Sequence, residues 1–141
     1  MNIKKLIILF VATFVAIFVT DFIIHGFLLK SMYMATQNLW RPEEEMHSLM
    51  AYMMAGKAVG ALFFAWIFIH GYKGTGVGEG VRYGLLMAGF TAGCHLMMYS
   101  VQPYPMELIL AWIGAGVVQY VAVGALCACV WGCKRGEAQA S

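Results

Sequence analysis

The run LIILFVATFVAIFVTDFIIHGFLL, residues 6–29, decides the fold. Its only hydroxyl, charged or imidazole side chains are Thr13, Thr20, Asp21 and His25. Everything else is apolar or glycine, and a helix needs about 20 such residues to cross the hydrocarbon. Residues 2–5 followed by this run imitate a secretory signal. No clean A-x-A cleavage site follows, and the apolar run continues past Asp21, so it reads as a retained first span.

Three further runs of the same kind follow, at residues 46–70, 82–101 and 106–131. Of the 141 residues, 62% are hydrophobic and 11% charged, against about 25% charged in soluble domains. A soluble chain this short has too little interior to hide that apolar content. The formal charge of +2 is too small and too scattered for a nucleic-acid footprint. The expectation is one all-α domain over residues 1–141: a compact four-transmembrane-helix bundle.

The connections agree. SMYMATQNLWRPEEE, residues 31–45, mixes apolar anchors with polar side chains and reads as a short interfacial segment. Pro42 and then Glu43, Glu44 and Glu45 make a helix start, with acids at the positive end of the dipole. GYKGTGVGEG, residues 71–80, is a flexible turn. It lacks the Lys-Ser/Thr ending of a phosphate-binding loop, and it joins two spans. Pro103 and Pro105 mark a tight third turn. Lys4, Lys5, Lys73, Arg82, Lys134 and Arg135 fall on one side, whereas Lys30 and Arg41 fall on the other. The positive-inside rule therefore puts both termini in the cytoplasm. Residues 134–137 read as a short polar tail.

Small residues spaced by four, Gly56/Gly60, Gly80/Gly84, Gly89/Gly93 and Ala111/Ala115, predict close helix contacts without choosing partners. AYMMAG at 51–56 echoes AWIGAG at 111–116, which raises a duplicated two-helix unit.

Asp21 and Lys57 put opposite charges in the apolar depth, where a charge must pair or meet water. At 1.5 Å per residue, Asp21 lies roughly 12 Å and Lys57 roughly 16 Å below the outer face. His25 is one turn from Asp21 on the same side. His95, roughly 9 Å deep on the third span, His47, and Glu107 near the outer boundary extend the cluster, with Lys57 and Gln119 as its floor. Two readings stay open. One is a structural ion pair with histidines bonded between helices. The other is a hydrated pocket for a proton, a metal or a small polar ligand.

Methionine is abundant, with 11 residues. Thioether and imidazole suit Cu(I), so His47, Met50, His95 and Met98 form a candidate copper set. Met is also a flexible apolar filler. His25 and His95 are a conceivable haem pair. No H-E-x-x-H or C-x-x-C motif is present. Cys127, Cys129 and Cys133 fall toward the cytoplasmic end and Cys94 stands apart, a pattern of apolar packing rather than disulfides. Ser31, Ser48 and Ser100 sit in no nucleophile elbow, so catalytic residues are not expected.

DFIIHGFLLKSMY (21–33), GVRYGLLMAGF (80–90) and AWIGAGVVQYVAVGAL (111–126) resemble small uncharacterised four-span bacterial membrane proteins of the DUF1761-like type. The resemblance covers less than half the chain and implies a compact bacterial membrane bundle without a biochemical role. The sequence thus points to a non-enzymatic inner-membrane protein that forms a homo-oligomer or joins a larger membrane complex. The alternative is a small proton-linked transporter or ligand-binding protein. Its pocket would lie in the outer half of the bilayer, lined by Asp21, His25, Lys57, His95, Glu107 and Gln119.

Overall fold

The computed structural model describes residues 3–139, with side chains to Gly132. It is helical almost throughout, and the described residues contain no strand. Four helical stretches are long and apolar enough to cross a membrane: Ile3–Leu28, Met50–Gly71, Val77–Val101 and Met106–Gly132.

Helix α1 (Ile3–Ile23) runs into a single π-helical turn, Ile24–Leu28. The turn closes through Leu29 N–H donating to the Ile24 carbonyl at 2.8 Å. Such a turn adds one residue to the local winding and re-aims the side chains on it; here it carries His25. Short helix α2 (Lys30–Ala35) and a 3₁₀ turn (Gln37–Leu39) follow. Trp40 Nε1 donates to Thr36 Oγ1 at 3.0 Å and pins that turn back onto α2. Trp40 and Pro42 are extended, with ψ near 156° and 147°, as a residue lying before the next helix must be. Pro42 flanks α3 (Glu43–Ser48) as its cap rather than forming its first turn. The three glutamates occupy that first turn, where the helix dipole favours them. A bend at Leu49 separates α3 from α4 (Met50–Gly71). The second apolar span therefore begins at Met50, later than residue 46.

The turn between α4 and α5 (Val77–Val101) is ordered by one carboxylate. Glu79 accepts hydrogen bonds from the backbone N–H groups of Lys73 at 2.5 Å, Gly74 at 3.1 Å and Thr75 at 3.0 Å, and from Thr75 Oγ1 at 2.9 Å. Gly74 and Gly76 have φ of 92° and 96°, a region that favours glycine. What composition reads as a flexible turn is thus folded around Glu79. Helix α6 (Met106–Gln139) continues past residue 131 through the segment read as a polar tail. The side chains of Cys133 and of residues 134–137 lie outside the described residues.

In lipid, helices associate through close packing more than through apolar burial, and the closest approach is between α5 and α6. A Cβ placed on Gly84 would sit 2.2 Å from the Tyr120 carbonyl oxygen. One on Gly80 would sit 2.1 Å from the Gly124 carbonyl oxygen, and one on Gly124 would sit 2.2 Å from that of Gly80. The Gly80/Gly84 pair is therefore a contact seam. Gly56, Gly60, Gly89 and Gly93 would each meet nothing within 4 Å, so those pairs face outward.

The core lies toward the start of α1 and the end of α6. Leu9, Phe64, Ala65, Phe68, Val123, Cys127 and Ala128 are buried there. Its two polar contacts are internal. Thr13 Oγ1 and Cys127 Sγ lie 3.3 Å apart, and Tyr83 donates to the Phe64 carbonyl at 2.8 Å. Phe18, Phe22, Phe63, Phe90 and Val118 are exposed, as expected of side chains that face lipid.

Candidate functional site

At the other end the helices diverge around a cavity of about 1240 Å³. Its wall draws on every membrane-length helix and on the segment between α1 and α4. Asp21, His25, His95 and Gln119 line it, with the aromatic side chains Tyr33, Trp40, Trp112 and Tyr120. Met34, Met46 and Met53 add flexible apolar surface.

The floor ties three helices to one carboxylate. Lys57 on α4 donates to Asp21 Oδ2 on α1. Gln119 on α6 donates through Nε2 to Asp21 Oδ1 at 2.6 Å and to Thr20 Oγ1 at 2.8 Å. Thr20 Oγ1 donates its own proton to the Ala16 carbonyl at 2.7 Å, which leaves its lone pairs for Gln119. The Asp21 and Lys57 side chains are 18% and 21% exposed. At that burial an unpaired charge is costly, so the pair needs both partners and the added hydrogen bonds.

Above the floor lies a second network. Tyr33 OH accepts from Trp112 Nε1 at 2.7 Å and lies 2.5 Å from His25 Nδ1. Burial holds the Tyr33 hydroxyl above the usual phenol range, opposed by the Trp112 bond and reinforced by the Asp21 charge. The phenol is therefore protonated near neutral pH. The phenol oxygen can accept from Trp112 and from His25 together, so the Tyr33–His25 contact forms in either tautomer. Either Tyr33 donates to Nδ1 and a neutral His25 keeps its proton on Nε2, or Nδ1–H donates to Tyr33 and the phenol proton is left over. His25 Nε2 lies 4.0 Å from Asp21 Oδ1, beyond hydrogen-bond reach. His95 packs on Trp112 with ring centroids 5.6 Å apart, and its buried Nδ1 has no hydrogen-bond partner.

The aromatic side chains pack on one another. Trp40 stacks on Tyr104 at 5.3 Å, and both meet Trp112 edge-on, at 6.2 Å and 5.3 Å. Trp40 also meets Tyr33 edge-on at 5.3 Å. Edge-to-face contacts at these separations fix ring orientation.

The structure thus gathers Asp21, His25, His95 and Gln119 at one cavity, whereas Lys57 does not line it and is tied to it through Asp21. It does not bring Glu107 there: that side chain is exposed and outside the wall. The candidate copper set is divided. His95 faces the cavity, whereas His47 lies 3.9 Å from Glu43 on the exposed face of α3. Met50 and Met98 are exposed and not part of the wall. Among the described residues, no group of three or more His, Cys, Asp or Glu side chains is arranged to hold a metal. The conceivable haem pair, His25 and His95, does line the same space.

Sequence reasoning missed Tyr33, Trp112 and Tyr120. Tyr33 and Trp40 read as interfacial anchors, and Trp112 carried no signal beyond its place in AWIGAG. The chain matches no family model, no curated protein and no solved structure.

Proposed function

We propose that this chain is a non-enzymatic, multi-pass protein of the bacterial inner membrane that holds a small ligand in its internal cavity. The four spans form a compact bundle with both termini in the cytoplasm. Basic residues support that orientation, since they are concentrated at the end that carries the termini. Lys5 lies over the Trp131 ring at 5.9 Å, which ties the start of α1 to the far part of α6. The cavity then opens in the outer half of the bilayer.

One observation carries the reading: a polar, aromatic-walled cavity stands where four apolar helices would otherwise close on one another. A purely structural Asp21–Lys57 lock needs no such space beside it. Small-ligand sites have this make-up, an apolar wall with few, convergent polar groups. Proton coupling is an extension of the same reading, through Asp21 and the neighbouring His25.

The test fills the space. Ala115 is half-buried on the cavity wall. Native mass spectrometry in mild detergent is expected to find a small molecule on the wild-type protein and none on Ala115→Trp. Equal occupancy in the two proteins contradicts the reading.

A second reading rests on the outward glycines. Gly56 and Gly60 on α4, and Gly89 and Gly93 on α5, leave backbone open to a neighbouring helix. That suits a homo-oligomer or an accessory subunit of a larger membrane complex. Detergent-corrected mass tests it: a Gly60→Leu/Gly93→Leu double variant should be smaller than the wild type, and equal masses count against it.

A further inference from the structure

We infer that the cavity takes a neutral, ring-bearing lipophile with carbonyl acceptors, the chemistry of a quinone headgroup. This rests on the cavity reading and names its ligand class.

The first argument is charge. The ionisable groups around the space cancel. Asp21 is paired with Lys57, and Arg41 with Glu45. Lys30 and Glu43, both on the wall, balance in formal charge, and both are exposed, so neither is a buried partner for a charged ligand. An organic cation would have to displace Lys57 from Asp21 and stand beside it, and a carboxylate would face Asp21 itself. Burying either in a membrane without a dedicated partner is expensive. A neutral molecule meets neither penalty.

The second argument is the sign of the unmet hydrogen bonds. A neutral His25 and Tyr33 carry one N–H and one O–H between them, and their contact uses one, so one donor is left over in either tautomer; Asp21 is 4.0 Å from His25 Nε2, beyond reach. His95 leaves a ring nitrogen unpartnered. Asp21, by contrast, is already supplied by Lys57 and Gln119. The cavity therefore offers a spare donor and has its strongest acceptor occupied, so it calls for an oxygen acceptor on the ligand. His25 sits on the π-helical turn, and such turns concentrate at functional sites.

The third argument is shape. Trp40, Trp112, Tyr33 and Tyr120 offer flat apolar faces, and Met34, Met46 and Met53 adapt to a chain. A planar ring with an alkyl tail fits that mixture.

The experiment reads tryptophan fluorescence of the full chain in lipid nanodiscs. Three probes with matched decyl tails are titrated: a benzoquinone, a quaternary ammonium and a carboxylate. The quinone is expected to quench saturably. His25→Ala should weaken its binding about tenfold through the lost donor, His25→Gln should restore part of it, and Ala115→Trp should abolish saturation. Quenching that is identical in Ala115→Trp is partition into the bilayer and overturns the inference. Saturable binding of the ammonium or carboxylate without the quinone overturns the ligand class and leaves the cavity reading standing. Failure of all three probes also overturns the class. The cavity reading is tested separately: it falls if a cysteine at position 115 is then shielded from aqueous thiol reagents.

Discussion

The two ends of the molecule solve the same problem in opposite ways. At the end carrying the termini, α5 and α6 meet backbone to backbone at Gly80, Gly84 and Gly124, and Phe64 and Phe68 fill the space beside them. Polar groups in that core bond to one another, as in the Thr13–Cys127 and Tyr83–Phe64 contacts. At the other end the side chains are larger and polar, the helices stand apart, and a donor is left over. Glycine seams make a membrane protein rigid, whereas an ion pair beside a cavity leaves a place for something else. The difference separates the residues that hold the fold from those that would hold a ligand.

Substitutions can break that division. The largest effect is expected at Gly84→Val, where the new side chain meets the Tyr120 backbone at 2.2 Å. It should cost about 3 kcal/mol or more, measured by thermal unfolding in detergent. Gly60→Val, facing open space, should stay within about 0.5 kcal/mol of wild type. Equal losses at the two sites would erase the distinction between seam and outer face.

Next in size is the ion pair. Lys57→Met leaves Asp21 buried with only Gln119 and should cost about 3 kcal/mol. Adding Asp21→Asn should recover most of that loss, since the unpaired charge is gone. A double variant no better than the single would mean that Lys57 acts through packing instead.

Smaller still is a pair of hydroxyl deletions, one at each end. Tyr83→Phe removes the bond to the Phe64 carbonyl and should lower stability by about 1 kcal/mol, with quinone binding unchanged. Tyr33→Phe leaves the core alone and frees both Trp112 and His25. It should weaken binding several-fold with little change in melting temperature. If each variant showed the other's phenotype, the two ends would have exchanged roles.

The smallest effect is expected at Arg41→Ala. The Arg41–Glu45 pair is solvent-exposed, and such pairs are worth about 0.5 kcal/mol or less. A loss well above that in the same unfolding assay would assign the segment before α3 a structural role.

Much of the architecture was legible because hydrocarbon punishes exceptions. Asp21 and Lys57 stand out in apolar runs, and the depth arithmetic already put Gln119 on the same floor. The spacing of His25 from Asp21 was equally readable. Which glycine pairs face inward was not, because spacing by four is the same on a contact face and on a lipid face. Only the neighbouring helix decides. The π-helical turn was invisible for a related reason: nothing in IIHGFLL distinguishes five-residue winding from four. Trp40 and Trp112 of the aromatic wall are joined through Tyr104, which packs on both. Trp40 lies far in sequence from the other two and alone reads as a membrane-interface side chain, and Tyr104 and Trp112 carry no signal of their own. Glu79 was read as part of a glycine-rich turn, since the backbone N–H groups it gathers are present in any sequence.

The most direct measurement is thiol accessibility in oriented vesicles. The native cysteines are first replaced by serine or alanine, and single cysteines are then placed at Ala115 in the cavity wall and at Ala65 in the buried core. A membrane-impermeant maleimide added from the outer side should label Ala115→Cys rapidly and leave Ala65→Cys untouched, and prior addition of the decyl benzoquinone should slow the first reaction. An Ala115→Cys thiol as unreactive as the one at position 65 would mean that the space is closed to water, and that both ends of this protein are simply packed.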